Sequence, residues 1–297
     1  MILLDTYFRL AQRHVQIRGG QSRHRVVAGH RIHYFDVPGH GSGPPVVLLH
    51  GLGGSAASFV PMLFGLRDAW SRIYAPDMPG HGLSPLAHWD APLAPRGHGQ
   101  LLHTFLKEVV GRPAALVGNS LGGGLALGIA LEKPEDVVGL GLLSPAGAPL
   151  SAADIADLRS RFTMRSRRDA VAFLRRLTHR PMPAAFLAAS DIRDLLNSPA
   201  VRHIVSHMSS PERLDTQRMR ALRIPVTLVW GASEKVLPAH GLQFFRQHLP
   251  PHTRIEVFER CGHVPMLEQP ARTIRVLNRL AADIRATYVR GRDQMSA

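Results

Sequence analysis

Seven apolar runs of strand length punctuate the chain: RIHYFDV (31–37), PVVLLH (45–50), RIYAPD (72–77), AALVGN (114–119), VVGLGLLS (137–144), PVTLVWG (225–231) and TRIEVFE (253–259). Segments long enough for helices separate them. A strand with one wet face alternates apolar and polar residues, whereas a continuously apolar strand must be covered on both faces. The pattern therefore predicts an α/β fold, a mostly parallel, doubly wound sheet of about eight strands with helical crossovers. At 297 residues the chain can close one large core. Ligands of such sheets bind beyond the carboxyl ends of the strands, so the residues that follow each run carry the functional interest.

The alternation stops between about Pro149 and Arg223, where strand signals vanish and helix starts follow one another. Ser151 and Ser166 stand as N-caps, and SPAVRHIVSHM (198–208) and SPERLDTQRMRAL (210–222) each place Pro in the first turn after a serine. The expected organisation is an N-terminal amphipathic helix (1–20), a first core segment (21–148), a helical cap (149–223), a second core segment (224–288) and a disordered tail (289–297). A cap lying over the strand ends would line a pocket with its apolar face.

In the N-terminal helix, Leu3, Leu4, Tyr7, Phe8, Leu10 and Ala11 are expected to share one face, packed on the domain or resting on a lipid surface. The segment lacks the uninterrupted apolar centre of a secretion signal. Cys261 is the one cysteine, so no intrachain disulfide forms and the cytoplasm is the expected compartment, with peripheral membrane contact as the second expectation. The formal net charge is +14, carried mostly by arginine, since Lys107, Lys133 and Lys235 are the only lysines. Zinc-finger spacing, aromatic-basic RNA-recognition patterns and an isolated basic tail are all missing, which argues against a nucleic-acid partner. Neither an HExxH helix nor a phosphate-binding loop occurs, so no metal or cofactor is expected.

The stretch ALVGNSLGGGLA (115–126) sets Ser120 between a strand and a helix, with Gly118 and Gly122 two residues to either side. A serine on such a turn projects its hydroxyl above the sheet from a strained backbone that tolerates only small neighbours. A free serine is a poor nucleophile and needs a base and an orienting acid. Among seventeen histidines, His263 is set apart by its loop after the last strand run, in the chain order serine, acid, histidine. Glu234 follows the strand at 225–231; Asp191 and Asp194 also fall between Ser120 and His263, but inside the cap. His50, Asp77 and His81 read as braces for tight turns, and Cys261 as a small buried thiol.

Five blocks occur in order: HGLGG (50–54), DMPGHGLS (77–84), GNSLGG (118–123), WGASEKVLP (230–238) and GHVPMLEQP (262–270). From about Arg31 to Leu280 the chain resembles an α/β-hydrolase-fold enzyme of the lidded esterase, lipase and carbon–carbon hydrolase kind. The resemblance implies Ser120 as nucleophile, His263 as base and Glu234 in the acid position, where the family usually has aspartate. It implies main-chain N–H groups of Leu52 and Leu121 as an oxyanion hole, with Gly51, Gly53 and Val264 facing the substrate. The expected activity is hydrolysis of a small-molecule carboxylic ester with a hydrophobic part through an acyl-enzyme. Two alternatives stand beside it. GNSLGG is similar to the elbow of carbon–carbon bond hydrolases of aromatic degradation, and the arginine-rich cap would suit their carboxylate-bearing substrates. A protein of this fold could also bind without turnover.

Overall fold

The computed structural model describes residues 2–86, 92–181, 186–208 and 214–295. Eight strands form one sheet: β1 (Gln21–Val27), β2 (His30–Pro38), β3 (Gly43–Leu49), β4 (Trp70–Pro76), β5 (Ala114–Ser120), β6 (Val137–Pro145), β7 (Val226–Gly231) and β8 (Arg254–Phe258). Their spatial order is β1-β2-β4-β3-β5-β6-β7-β8. The pairings β1–β2 and β2–β4 are antiparallel, and from β4 through β3 to β8 every pairing is parallel.

The continuous apolar runs become the central strands, because each residue there meets a helix layer on one face or the other. On β5, Ala115 and Val117 enter one layer while Ala114 and Leu116 enter the other; on β3, Val46 and Leu48 oppose Val47 and Leu49 in the same way. The first layer contains α1 (Ile2–Ile17), α2 (Val60–Leu63) and the long helix that closes the chain; the second contains α3 (Pro95–Phe105) and α4 (Leu121–Glu132). Strand β1 has no counterpart among the seven runs, since only Val27 of its seven residues is buried. Its hairpin turn places Ala28 at φ 46° and Gly29 at φ 80°, a two-residue reversal whose twist matches the strands it joins. Register with β2, rather than hydrophobicity, defines this edge strand.

Between β6 and β7 the described residues form five helices, called the cap below: α5 (Ala152–Phe162), α6 (Arg167–Leu177), α7 (Ala189–Leu196), α8 (Pro199–Ser206) and α9 (Thr216–Arg220). Ser151 and Ser166 each close a reciprocal capping box, with Asp154 and Asp169, and Ser198 caps α8 ahead of Pro199. Helix α9 is capped by Asp215 instead, and the Ser210-Pro211 start expected there lies outside the described residues. In the cap, Phe162 and Phe173 stack with ring centroids 5.1 Å apart, in a cluster that also takes Leu196, Val236 and Leu52. The cap is thereby packed onto the loop after β3 and the loop after β7.

After β7 come α10 (His240–His248), β8, the single-turn α11 (Pro265–Glu268) and α12 (Pro270–Met295). Helix α12 corrects the expected tail: the backbone stays helical to Met295. Helix α1 also departs from the expectation of one apolar face. It buries Phe8, Ala11 and Val15, with Leu4 beside them, whereas Leu3 and Leu10 turn outward and the half-exposed Tyr7 donates its hydroxyl to the Ala57 carbonyl at 3.0 Å. Among the described residues no helix is long and apolar enough to cross a membrane.

Candidate active site

Strand β5 ends in a turn so tight that Ser120 sits at φ 52°, ψ −119° as the N-cap of α4. A non-glycine residue held there is strained by about 1–3 kcal/mol, which the surrounding packing must offset. The flanking glycines are dictated by the same turn. A Cβ on Gly118 would stand 2.2 Å from the carbonyl oxygen of Gly122, and one on Gly122 would stand 2.2 Å from that of Leu49. Strand and helix thus approach closely enough to hold the serine above the sheet, which is what the small residues around it permit.

Ser120 and His263 line one cavity of about 140 Å³. The His263 ring is buried, and its Nδ1 donates to Glu234 Oε2 at 2.7 Å. The other carboxylate oxygen of Glu234 accepts main-chain N–H bonds from Val236 (2.7 Å) and Leu237 (3.1 Å). Burial alone would raise the Glu234 pKa, but His263 and these two donors outweigh it and hold the group below the ordinary carboxylate range. The carboxylate accepts the proton carried on Nδ1, which orients the imidazole and leaves Nε2 as the acceptor nitrogen of the ring. The other two acid candidates are engaged elsewhere: Asp191 accepts the N–H of Leu4 at 2.9 Å, and Asp194 pairs with Arg193 at 2.8 Å.

Gly51, Leu52, Gly53 and Val264 line the same cavity. Gly53 adopts φ 69°, and a Cβ there would meet Leu196 of α7 at 2.5 Å, so the loop after β3 fits under the cap only with glycine. Leu121 opens α4 with its side chain against the second core layer. Its N–H is one of the first-turn donors that no helix carbonyl can satisfy. His50 donates from Nδ1 to the Gly51 carbonyl (2.8 Å) and accepts the Met78 N–H at Nε2 (3.0 Å), so both its nitrogens are occupied in holding that loop. Asp77 accepts from the N–H groups of Ala56 and Leu83 and from His33 on β2, so it ties its turn to the segment after β3 and to the sheet. Cys261 is buried in the first core layer, and burial followed by the charge of Glu268 pushes its thiol up to about 12.

Three parts of the site carry no sequence signal of the kind used above. Asn119 donates from Nδ2 to the carbonyls of Leu143 (3.0 Å) and His263 (2.9 Å), tying the histidine loop to the serine turn. Glu268 accepts the His179 N–H on Oε1 (2.7 Å) and the Gly262 N–H on Oε2 (2.5 Å). Leu177 in turn accepts the His263 N–H at 2.8 Å, and His179 Nδ1 shares a 2.7 Å hydrogen bond with Ser233 Oγ. The end of α6 is therefore fastened to both loops that carry Glu234 and His263. Asn119 and Glu268 lie inside quoted blocks, but only contacts across the fold reveal what they hold.

The cavity wall is apolar. Phe162, Phe173 and Leu174 come from α5 and α6, Ile192, Leu195 and Leu196 from α7, and Met266 and Leu267 from α11. No arginine lines it among the described residues. Three of the cap arginines are held by main-chain carbonyls: Arg159 by those of Ser206 and Met208, Arg161 by those of Lys235 and Val236, and Arg167 by that of Phe186.

Residues 46–276 match the model of the alpha/beta hydrolase family. The chain is 25% identical over 268 residues to monoacylglycerol lipase ABHD6 of Bos taurus, covering 84% of this chain and 78% of that one. It is 26% identical over 257 residues to the pimeloyl-[acyl-carrier protein] methyl ester esterase of Nitrosomonas europaea, covering 81% and 96%. A putative lipase from Acinetobacter baumannii superposes with a TM-score of 0.81 at 20% identity, covering 95% of this chain and 97% of its own. A strained serine turn, a buried histidine–carboxylate pair and a helical insert on a mostly parallel sheet are thus accompanied by a match over most of the sequence, and the chain belongs to the alpha/beta hydrolase family.

Proposed function

We propose that the protein is a serine hydrolase that cleaves a carboxylic ester with a hydrophobic acyl part. The observation that carries this reading is the buried His263–Glu234 pair opening into the same apolar cavity as Ser120. His263 Nε2 takes the proton of Ser120 Oγ as that oxygen attacks the ester carbonyl. The main-chain N–H groups of Leu52 and Leu121 receive the charge that develops on the carbonyl oxygen; one such donor is worth about 2.7–4 kcal/mol in measured cases. The tetrahedral intermediate collapses, His263 returns the proton to the departing alcohol, and the acyl group remains on Ser120. Water then repeats the sequence, giving up its proton to His263 and releasing the acid and the serine. Glu234 stabilises the imidazolium formed in each half. Every step is carried by the chain's own groups and water.

The cavity also bounds the acyl group. Its volume of about 140 Å³ is close to the 150 Å³ or so of an engineered apolar cavity that binds benzene, which corresponds to about six carbons. An apolar wall with no arginine among the described residues favours this ester over a carboxylate-bearing carbon–carbon substrate. Chromogenic esters of increasing acyl length test the reading. Each methylene that enters the pocket is worth about 0.8 kcal/mol, or about fourfold in kcal-to-rate terms, so kcat/KM should climb from acetate to about hexanoate and then level off. Absence of ester turnover, or activity confined to vinylogous diketones, would refute it.

A further inference from the structure

The outward flank of α1 is apolar and uncovered. Ile2 is 80% exposed, Leu3 47%, Tyr7 43%, Leu10 60% and Ile17 74%. At the pitch of an α-helix these five side chains fall within an arc of about 140° that starts at Tyr7, beside the buried stripe of Phe8, Ala11 and Val15, and runs round to Ile2, with exposed Thr6, Arg13 and His14 interspersed along it. Exposed Arg9 stands at the Ile2 border of that arc, exposed Arg13 lies just inside it, and the acidic Asp5 lies beyond Arg9. A second exposed apolar pair, Phe186 (57%) and Leu187 (54%), immediately precedes α7. The two elements are joined. Asp191, in the first turn of α7, accepts the N–H of Leu4 at 2.9 Å, which places its carboxylate at the N-terminal end of α1. Leu187 is four residues before Asp191, so the exposed pair of the cap stands close along the chain to the point where the cap touches the start of α1.

From this arrangement we infer that α1 and the Phe186–Leu187 segment form a single docking surface for an anionic lipid bilayer. An amphipathic helix with arginines at or just inside one border of its apolar arc sinks that arc to the level of the acyl chains while the guanidinium groups remain among the headgroups. The formal net charge of +14 favours a leaflet bearing negative lipid. The surface also reaches the cavity, because α7 contributes Ile192, Leu195 and Leu196 to its wall. Docking would bring that wall to the membrane and favour esters that partition there. This last consequence rests on the proposed ester hydrolysis; the docking itself does not.

Flotation of the full chain with vesicles, read without any turnover, tests the inference. The wild type should float with phosphatidylcholine vesicles containing phosphatidylglycerol, bind about tenfold or more weakly to phosphatidylcholine alone, and dissociate as salt is raised. Leu3→Glu/Leu10→Glu should bind about a hundredfold more weakly, because each leucine transferred from water contributes about tenfold. Phe186→Glu/Leu187→Glu should weaken binding by a similar factor. Circular dichroism and hydrolysis of a water-soluble ester, both expected unchanged, show that the variants remain folded. Wild type that stays with the unfloated fraction, or variants that float like wild type, would overturn the inference. So would a wild-type dimer that the leucine variants dissociate without any vesicle binding, since the face would then belong to a second copy. Flotation by a chain without esterase activity would sink the functional proposal and leave the docking intact.

Discussion

Glu268 offers a demanding test because both its oxygens are in use. Oε1 accepts from His179 N and Oε2 from Gly262 N, so the carboxylate joins the end of the cap helix α6 to the residue before His263. Removing it in Glu268→Ala leaves two partly enclosed main-chain donors without acceptors. Each costs about 1–3 kcal/mol when unsatisfied, and entry of water at this half-buried position keeps the sum near the lower end, about 2–3 kcal/mol. Glu268→Gln is more telling, since one of its two positions becomes an NH₂ group facing an N–H donor. The conservative amide should therefore cost nearly as much as alanine. Because Gly262 leads directly into His263, kcat should fall by about tenfold to a hundredfold, the scale of a small misplacement of a reacting group, while KM changes little. Urea unfolding measures the first quantity and steady-state hydrolysis of a soluble ester the second. A Glu268→Gln protein with wild-type midpoint and kcat would refute the idea that this carboxylate positions the histidine loop.

Other outcomes follow from the same geometry. Glu234→Gln should retain substrate binding and lose most of kcat, as a fixed negative partner for the imidazolium is gone; near-normal turnover would assign the acid role elsewhere. Gly118→Ala and Gly122→Ala should fail to accumulate as folded protein, because the new Cβ meets backbone at 2.2 Å in each, and a folded variant by circular dichroism would contradict the turn described here. Burial, with the nearby His50 adding to it, lowers His81 to about 3 and His98 to about 4. Both are neutral in the folded state and protonate on unfolding, so stability is full above the unfolded histidine value near 6.5 and declines as pH falls below it. Between about pH 5 and 6.5 each contributes a slope of up to about 1.4 kcal/mol per pH unit. His98→Gln should flatten the stability profile in that window, and an unchanged slope would show that His98 is not held neutral.

The sheet was legible because its central strands are buried on both faces, and continuous burial writes itself into the sequence as VVLL and VVGLGLL. Strand β1 was not, since QSRHRVV is held by its register with β2 and has almost no buried side chain. The single apolar face expected of α1 failed for a related reason. A helical wheel places Leu3, Tyr7 and Leu10 near Phe8 and Ala11, but only docking on the core decides which flank is covered. The segment expected as a disordered tail continues the helical backbone to Met295, because its sequence has no apolar periodicity by which a helix could be told from a disordered chain. The serine turn could be read locally, since its geometry restricts the identity of each neighbour. The choice of Glu234 over Asp191 and Asp194, and the parts taken by Asn119, Glu268 and Leu177, depend on contacts between segments up to 187 residues apart.

The central claim is covalent chemistry at one oxygen, and intact-protein mass spectrometry reads it directly. Protein mixed with the hexanoate ester of p-nitrophenol and quenched in acid should gain the mass of one hexanoyl group, mapped by proteolysis to the peptide containing Ser120 and absent from Ser120→Ala. Hydrolysis that persists in Ser120→Ala, or an acyl group located on any other residue, would contradict the account.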